Sequence, residues 1–160
     1  MTSAERRLAE DLTAFLVEAK RGTRAVDAPF KTGSAGWRGT ESHSYERTPF
    51  VYKDSYVGSR GFIGEEMVWR DGIAVWGMNY YGRSSLGELP AAGMRCLAAA
   101  LREVPSDAPY RGPAIHRLDG FEYRCAVEGD VASFSGREEI LNSVDGELVF
   151  VLRFHGGFIA

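Results

Sequence analysis

The dipeptide Asp71-Gly72 divides one long aromatic and apolar stretch, GFIGEEMVWRDGIAVWGMNYYG (residues 61–82), into two strand-like runs. Two residues of this type between such runs are a strong hairpin signal, because the favoured turn needs positive φ at both central positions. The turn predicts a register. With Arg70 opposite Ile73, Trp69 faces Ala74, Met67 faces Trp76, Glu65 faces Met78 and Ile63 faces Tyr80. On the other face Val68 meets Val75, Glu66 meets Gly77, Gly64 meets Asn79 and Phe62 meets Tyr81. A four-residue loop at GSRG (58–61) brings in the preceding run, with Lys53 opposite Glu66 and Asp54 opposite Glu65.

The rest of the chain reads as α+β. Residues 3–21 have helical spacing, with Leu8, Leu12, Phe15, Leu16 and Ala19 on one face, Thr2 and Glu5 at capping-box spacing, and Gly22 as a stop. Residues 22–48, which hold GSAGWRG, show no period and read as an irregular loop, either a connector or a functional segment. Strands are predicted near 50–57, 61–70 and 73–81, then a helix over 90–104 between Pro90 and Pro105 with Met94, Leu97, Ala98 and Leu101 inward. Strands follow near 113–117, 121–128, 131–135, 137–144 and 147–155. The expectation is a single domain over 1–160, with a β-rich body at 49–160. It would be an extended, curved antiparallel sheet of meandering hairpins, with the N-terminal helix and one central helix packed on it. No internal repeat stands out.

Adjacent glutamates in a strand must point to opposite faces. In the predicted register Glu66 lies with Lys53, Asn79 and Tyr81, and Gly64 and Gly77 leave room for a small polar ligand to approach. An ordinary solvated face with a Lys53–Glu66 pair is the plainer alternative. On the other face Asp54 and Glu65 would form a carboxylate pair able to share a proton or hold a cation, beside Tyr52, Trp69 and Trp76. A second turn, Asp145-Gly146, predicts Glu138 opposite Arg153 with His155 diagonal to it, either an anion site or a surface ion pair. Arg111, in YRGP, can hold a carboxylate or phosphate or simply brace a loop.

Net charge is −3 with 19 Lys and Arg against 22 Asp and Glu, which argues against a dedicated nucleic-acid binder. No apolar run is long enough to span a bilayer. The start of the chain is not signal-like, and Cys96 and Cys125 read as two reduced thiols; the expected location is the cytoplasm. His43, His116 and His155 have no metal-ligand spacing, no nucleophile motif is present, and no cofactor is expected.

The motifs FIGEEMVW, WGMNYYG, YRGP, YRCAVEGD, FSGREEI and FHGG follow in that order, after FLVEAK and YKDSYVGSRGF. In these the chain resembles the uncharacterised bacterial family catalogued as domain of unknown function 5680, over most of residues 13–159. The resemblance implies that Glu65, Glu66, Trp76, Asn79, Tyr80, Gly82, Arg111, Gly112 and Gly156 match motif positions; it implies no reaction. Some members look joined to a helix–turn–helix regulator, which suits a sensory module. The residues before the domain are not expected to form such a segment, which weakens that implication.

The leading expectation is a small-molecule-binding module with a pocket near Glu66, Asn79, Tyr81 and Arg111, with Lys53, Arg153 and His155 as further contacts. The alternatives are a small enzyme using Glu65, Glu66 or Asp54 for acid–base chemistry, and a protein-interaction domain, including a homodimer, using Tyr52, Trp69 and Trp76.

Overall fold

The computed structural model describes residues 2–24 and 40–159. Helix α1 (Ser3–Thr23) starts at the expected capping box: Thr2 Oγ1 accepts from the Glu5 amide at 3.2 Å, and Glu5 accepts from the Thr2 amide at 2.6 Å. Gly22 does not stop the helix; it lies inside it, where a Cβ would stand 3.2 Å from the Tyr45 ring. The segment expected to be irregular holds the end of α1 and strand β1 (Glu41–Arg47); GSAGWRG lies outside the described residues.

Strands β2 (Phe50–Gly58), β3 (Gly61–Arg70) and β4 (Ile73–Ser84) continue the meander, and α2 (Ala91–Arg102) follows. Its inner face is Gly93, Cys96, Leu97 and Ala100, whereas Met94 is half exposed, so the helix is rotated from the expected setting. Strands β5 (Ile115–Leu118), β6 (Phe121–Asp130), β7 (Ser133–Asn142) and β8 (Leu148–Phe158) complete the chain. The two short strands expected at 131–135 and 137–144 are one strand, β7. All eight form one antiparallel sheet in the order β1-β2-β3-β4-β8-β7-β6-β5. One face is covered by α1, over β1 and β2, and by α2, over β5 and β6.

The architecture is the expected α+β, but the register is not. The hairpin turn at Asp71-Gly72 forms as predicted, and Trp69 pairs with Ala74. Then β4 carries one extra residue, Val75, so Val68 meets Trp76, Glu66 meets Met78 and Glu65 meets Asn79. The loop before β3 is also one residue shorter than expected, so Gly58 pairs with Phe62, Lys53 with Met67, and Asp54 with Glu66. Both neighbours of β3 slip by one, and its side chains exchange faces relative to expectation. Glu66 and Val68 point under the helices with Tyr52, Trp76, Met78 and Tyr80, all of them buried.

The chain is built from two similar halves. Each is a helix followed by a four-stranded meander, and β4 and β8 join them at the sheet centre. FIGEE (62–66) in β3 matches FSGRE (134–138) in β7. Before them, Gly58 and Gly129 have φ of 106° and 91°, and a Cβ there would lie 2.2 and 2.1 Å from a carbonyl across the turn. Each half has an Asp-Gly turn and then an extra residue, Val75 or Val149, followed by a buried aromatic, Trp76 or Phe150. Tyr80 lies across Gly64 as Phe154 lies across Gly136, and Tyr80 and Phe154 pair in register. A pseudo-twofold axis therefore passes between them. The repeat escapes a sequence reading because it rests on a few positions within strands of different length.

Candidate functional site

Burial of charge singles out the site. Lys20, Glu66 and Glu138 are fully enclosed and Arg111 nearly so. Isolated, each would be very costly in an apolar core; paired and hydrogen-bonded, it can be tolerated.

The second half holds a closed centre. The Arg111 guanidinium grips Glu138 through Nε and Nη2, each at 2.9 Å. The Tyr123 hydroxyl donates to Glu138 at 2.7 Å and accepts from the Gly112 amide at 2.9 Å. A Cβ on Gly112 would stand 2.8 Å from that hydroxyl, so glycine is needed for the amide to approach. Burial depresses the Arg111 pKa, but Glu138 outweighs it and holds the guanidinium well above its ordinary value.

The first half holds the equivalent centre around Glu66. Lys20, on the inner face of α1, pairs with one Glu66 oxygen and donates to the Tyr110 carbonyl at 2.6 Å. Arg24 reaches the other oxygen at 3.3 Å and also donates to the Leu101 carbonyl near the end of α2. Burial lowers the Lys20 pKa to about 8, against the pull of Glu66. Burial pushes Glu66 up, but Lys20, Arg24 and Arg111 together hold it below the ordinary carboxylate range.

Besides their cations, the two centres differ in the partners of one tyrosine and in the residue beside the glutamate. Tyr52, opposite Val68, corresponds to Tyr123, opposite Ile140. Its hydroxyl is buried and has no hydrogen-bond partner among the described residues. Asp54, opposite Glu66, corresponds to Cys125, opposite Glu138. Asp54 accepts from the Tyr80 hydroxyl at 2.7 Å. No Lys or Arg among the described residues lies within ion-pair distance of it. Burial, and then Glu66 beside it, push its carboxyl pKa up. Arg111 stacks over the Tyr80 ring at 5.2 Å and so links the two centres.

The expected site residues are thus divided. Asp54, Glu66 and Arg111 come together beneath the helices. Lys53, Glu65, Asn79, Tyr81, Arg153 and His155 lie on the opposite face, all exposed. The register places Arg153 opposite Arg137, Glu138 opposite Leu152, and His155 opposite Ser135, so the expected Glu138–Arg153–His155 group does not form. The carboxylate pair is Asp54 with Glu66, not Asp54 with Glu65. The space at Gly64 is filled by Tyr80, and that at Gly77 by Met67 and Ile159. Tyr52 and Trp76 are core residues while Trp69 is on the other face, so these three do not form one surface.

Lys20 and Tyr123 were not anticipated as site residues. Lys20 had a signal: it lies four residues after Leu16, on the apolar face of α1. Among the described residues no three His, Cys, Asp or Glu side chains stand together as a metal site. The thiols of Cys96 and Cys125 are free. An open groove of about 720 Å³ along α1, near Ala9, Thr13 and Val131, contains none of the buried charges. No helix among the described residues is long and apolar enough to cross a membrane.

The fold and its paired charge centres define an α+β protein with an internally duplicated antiparallel sheet. The chain belongs to the family described as Domain of unknown function (DUF5680), whose model matches residues 54–159. The matched segment takes in Asp54, Glu66, Arg111, Tyr123 and Glu138 but not Lys20 or Tyr52. No curated protein and no solved structure matches the chain.

Proposed function

We propose that the protein is a small-molecule-binding module of a sensory type, and that its ligand occupies the Glu66 centre. One observation carries the reading: the Tyr52 hydroxyl is enclosed without a partner among the described residues, beside the Asp54 carboxyl. A buried hydroxyl left unsatisfied costs roughly 1–3 kcal/mol, and a fold selected only for stability would remove it with phenylalanine. The Glu138 centre supports the reading by contrast, because its tyrosine has both a donor and an acceptor. Asp54 and Tyr56 are half-buried and offer a way in from solvent. Arg111, expected as a ligand contact, acts as the bridge between the centres.

A thermal-shift screen of metabolites tests this on the wild-type chain, Tyr52→Phe and Asp54→Asn. A saturable rise in melting temperature in the wild type, weakened in both variants, is expected. A ligand whose effect is unchanged in both variants places binding elsewhere.

A second reading has its own observation. Asp54 has a carboxyl pushed upward by burial and by Glu66, as suits a general acid. Turnover of a substrate by the wild type and not by Asp54→Asn, with a rate that falls as this carboxyl ionises, distinguishes catalysis from binding.

A further inference from the structure

The charges around the Glu66 centre do not balance. Among the described residues, Glu41, Asp54, Glu66 and Glu138 face only Lys20, Arg24 and Arg111. Two of the cations are on Glu66 and one is on Glu138. Asp54 accepts from the Tyr80 hydroxyl and Glu41 from the Tyr56 hydroxyl, and among the described residues neither has a Lys or Arg at ion-pair distance. Among the described residues, with Asp54 ionised, the excess is one negative charge, and it sits at the rim, where Glu41, Asp54, Tyr56 and Phe62 are all half-buried.

Aromatic rings line the same rim. Phe62 makes T-shaped ring contacts with Tyr56 and with Tyr80, centroids 6.2 Å apart in each, and stacks on Phe150 at 5.8 Å. Aromatic faces beside an uncompensated carboxylate attract organic cations, through the ring quadrupole and through the charge. Beneath them the Tyr52 hydroxyl has an acceptor lone pair to offer. In the closed centre that lone pair is taken by the Gly112 amide, an N–H donor. The ligand that completes the open centre therefore carries a positive charge and N–H donors.

We propose that the Glu66 centre binds a small organic monocation with N–H groups, an ammonium or a guanidinium. Asp54 is its counter-ion, the Tyr52 hydroxyl its inner acceptor, and Tyr56 and Phe62 its aromatic walls. An anion is disfavoured here because Lys20 and Arg24 are already held by Glu66. The inference rests on the binding reading above and goes beyond it in naming the ligand's charge.

The test is a thermal-shift titration of the full chain at constant ionic strength. The cationic probes are butylammonium and agmatine; the neutral probe is 1-butanol and the anionic one butyrate. Saturable stabilisation by at least one cationic probe, and by neither of the others, is expected. Asp54→Asn should weaken it roughly tenfold or more, the effect of losing one charge-assisted contact. Tyr52→Phe should weaken it less, and because it removes only a hydroxyl it also serves if Asp54→Asn folds poorly. If butyrate or 1-butanol stabilises the wild type through Asp54 and Tyr52 while the cations do not, the binding reading survives and the cation assignment fails. If a cation stabilises the wild type and both variants equally, its site is elsewhere and the assignment also fails. No response to any of these probes overturns the cation assignment, and the metabolite screen alone then decides the binding reading.

Discussion

Tyr52 and Tyr123 occupy equivalent positions in the two halves of the sheet, and both are fully buried, yet only Tyr123 has hydrogen-bond partners among the described residues. The same side chain is a bracing strut in one half and an open valence in the other.

That difference predicts opposite outcomes for one substitution. Tyr123→Phe strips a donor from Glu138 and an acceptor from the Gly112 amide, so it should destabilise the protein by about 1–3 kcal/mol. Tyr52→Phe removes a hydroxyl that bonds to nothing described, so without ligand it should be neutral or stabilising. Urea denaturation of both variants measures this. Equal losses would show that Tyr52 has a partner in the free protein.

Glu66→Gln removes the charge that holds the proton on Lys20 against burial, so the amine is driven toward its neutral form and the pair is broken, which should cost about 3–5 kcal/mol. Replacing both partners, as in Lys20→Met with Glu66→Leu, removes the desolvation cost along with the pair, and should recover most of that loss. A double-mutant cycle in urea checks it. A Glu66→Gln loss below about 1 kcal/mol would mean that the buried pair has ready access to water.

The Asp54 carboxyl is raised in the folded protein from an ordinary value of 3.8. The folded chain therefore holds this proton more tightly than the unfolded chain. The stability it contributes is full below the unfolded pKa and is lost as pH rises through the folded one. Asparagine does not titrate. The melting temperature of Asp54→Asn, relative to wild type without ligand, should accordingly be more favourable at about pH 7 than at about pH 4. A difference that moves the other way would show Asp54 paired with a cation in the free protein.

Gly64 and Gly136 are positions of close approach. A Cβ would stand 2.4 Å from the Tyr80 ring in one and 2.1 Å from the Phe154 ring in the other. Alanine at either should cost about 1–3 kcal/mol by overpacking. Gly64→Ala should in addition displace the Tyr80 hydroxyl from Asp54, lowering any ligand affinity, whereas Gly136→Ala should leave affinity intact. Stability and binding measured on both variants separate the two effects.

Much of this was legible in the residues. The two Asp-Gly turns, the span of β3, the first helix with its cap and the oddity of Glu66 among aromatics all come from local rules. The pairing partners did not, because each hairpin carries one extra residue. Val75-Trp76 and Val149-Phe150 are consecutive buried residues, which an alternating pattern cannot accommodate without a bulge. That pattern was visible, but a two-residue turn with strict alternation is the simpler extrapolation. It brought Asn79 and Tyr81 to Glu66, and the four-residue loop expected at 58–61 likewise brought Lys53. Arg111 and Glu138 could not be joined from sequence, since their contact depends on how the loop after α2 folds back over the sheet.

The duplication gives the protein an internal standard. Glu66 and Glu138 are enclosed by the same kind of strand, beside the same kind of turn, in one molecule. Any change that perturbs the sheet in general should register at both, while a ligand at the site proposed above should register at Glu66 alone. A spectroscopic probe placed on each half would thus report stability and function as a sum and a difference within a single sample.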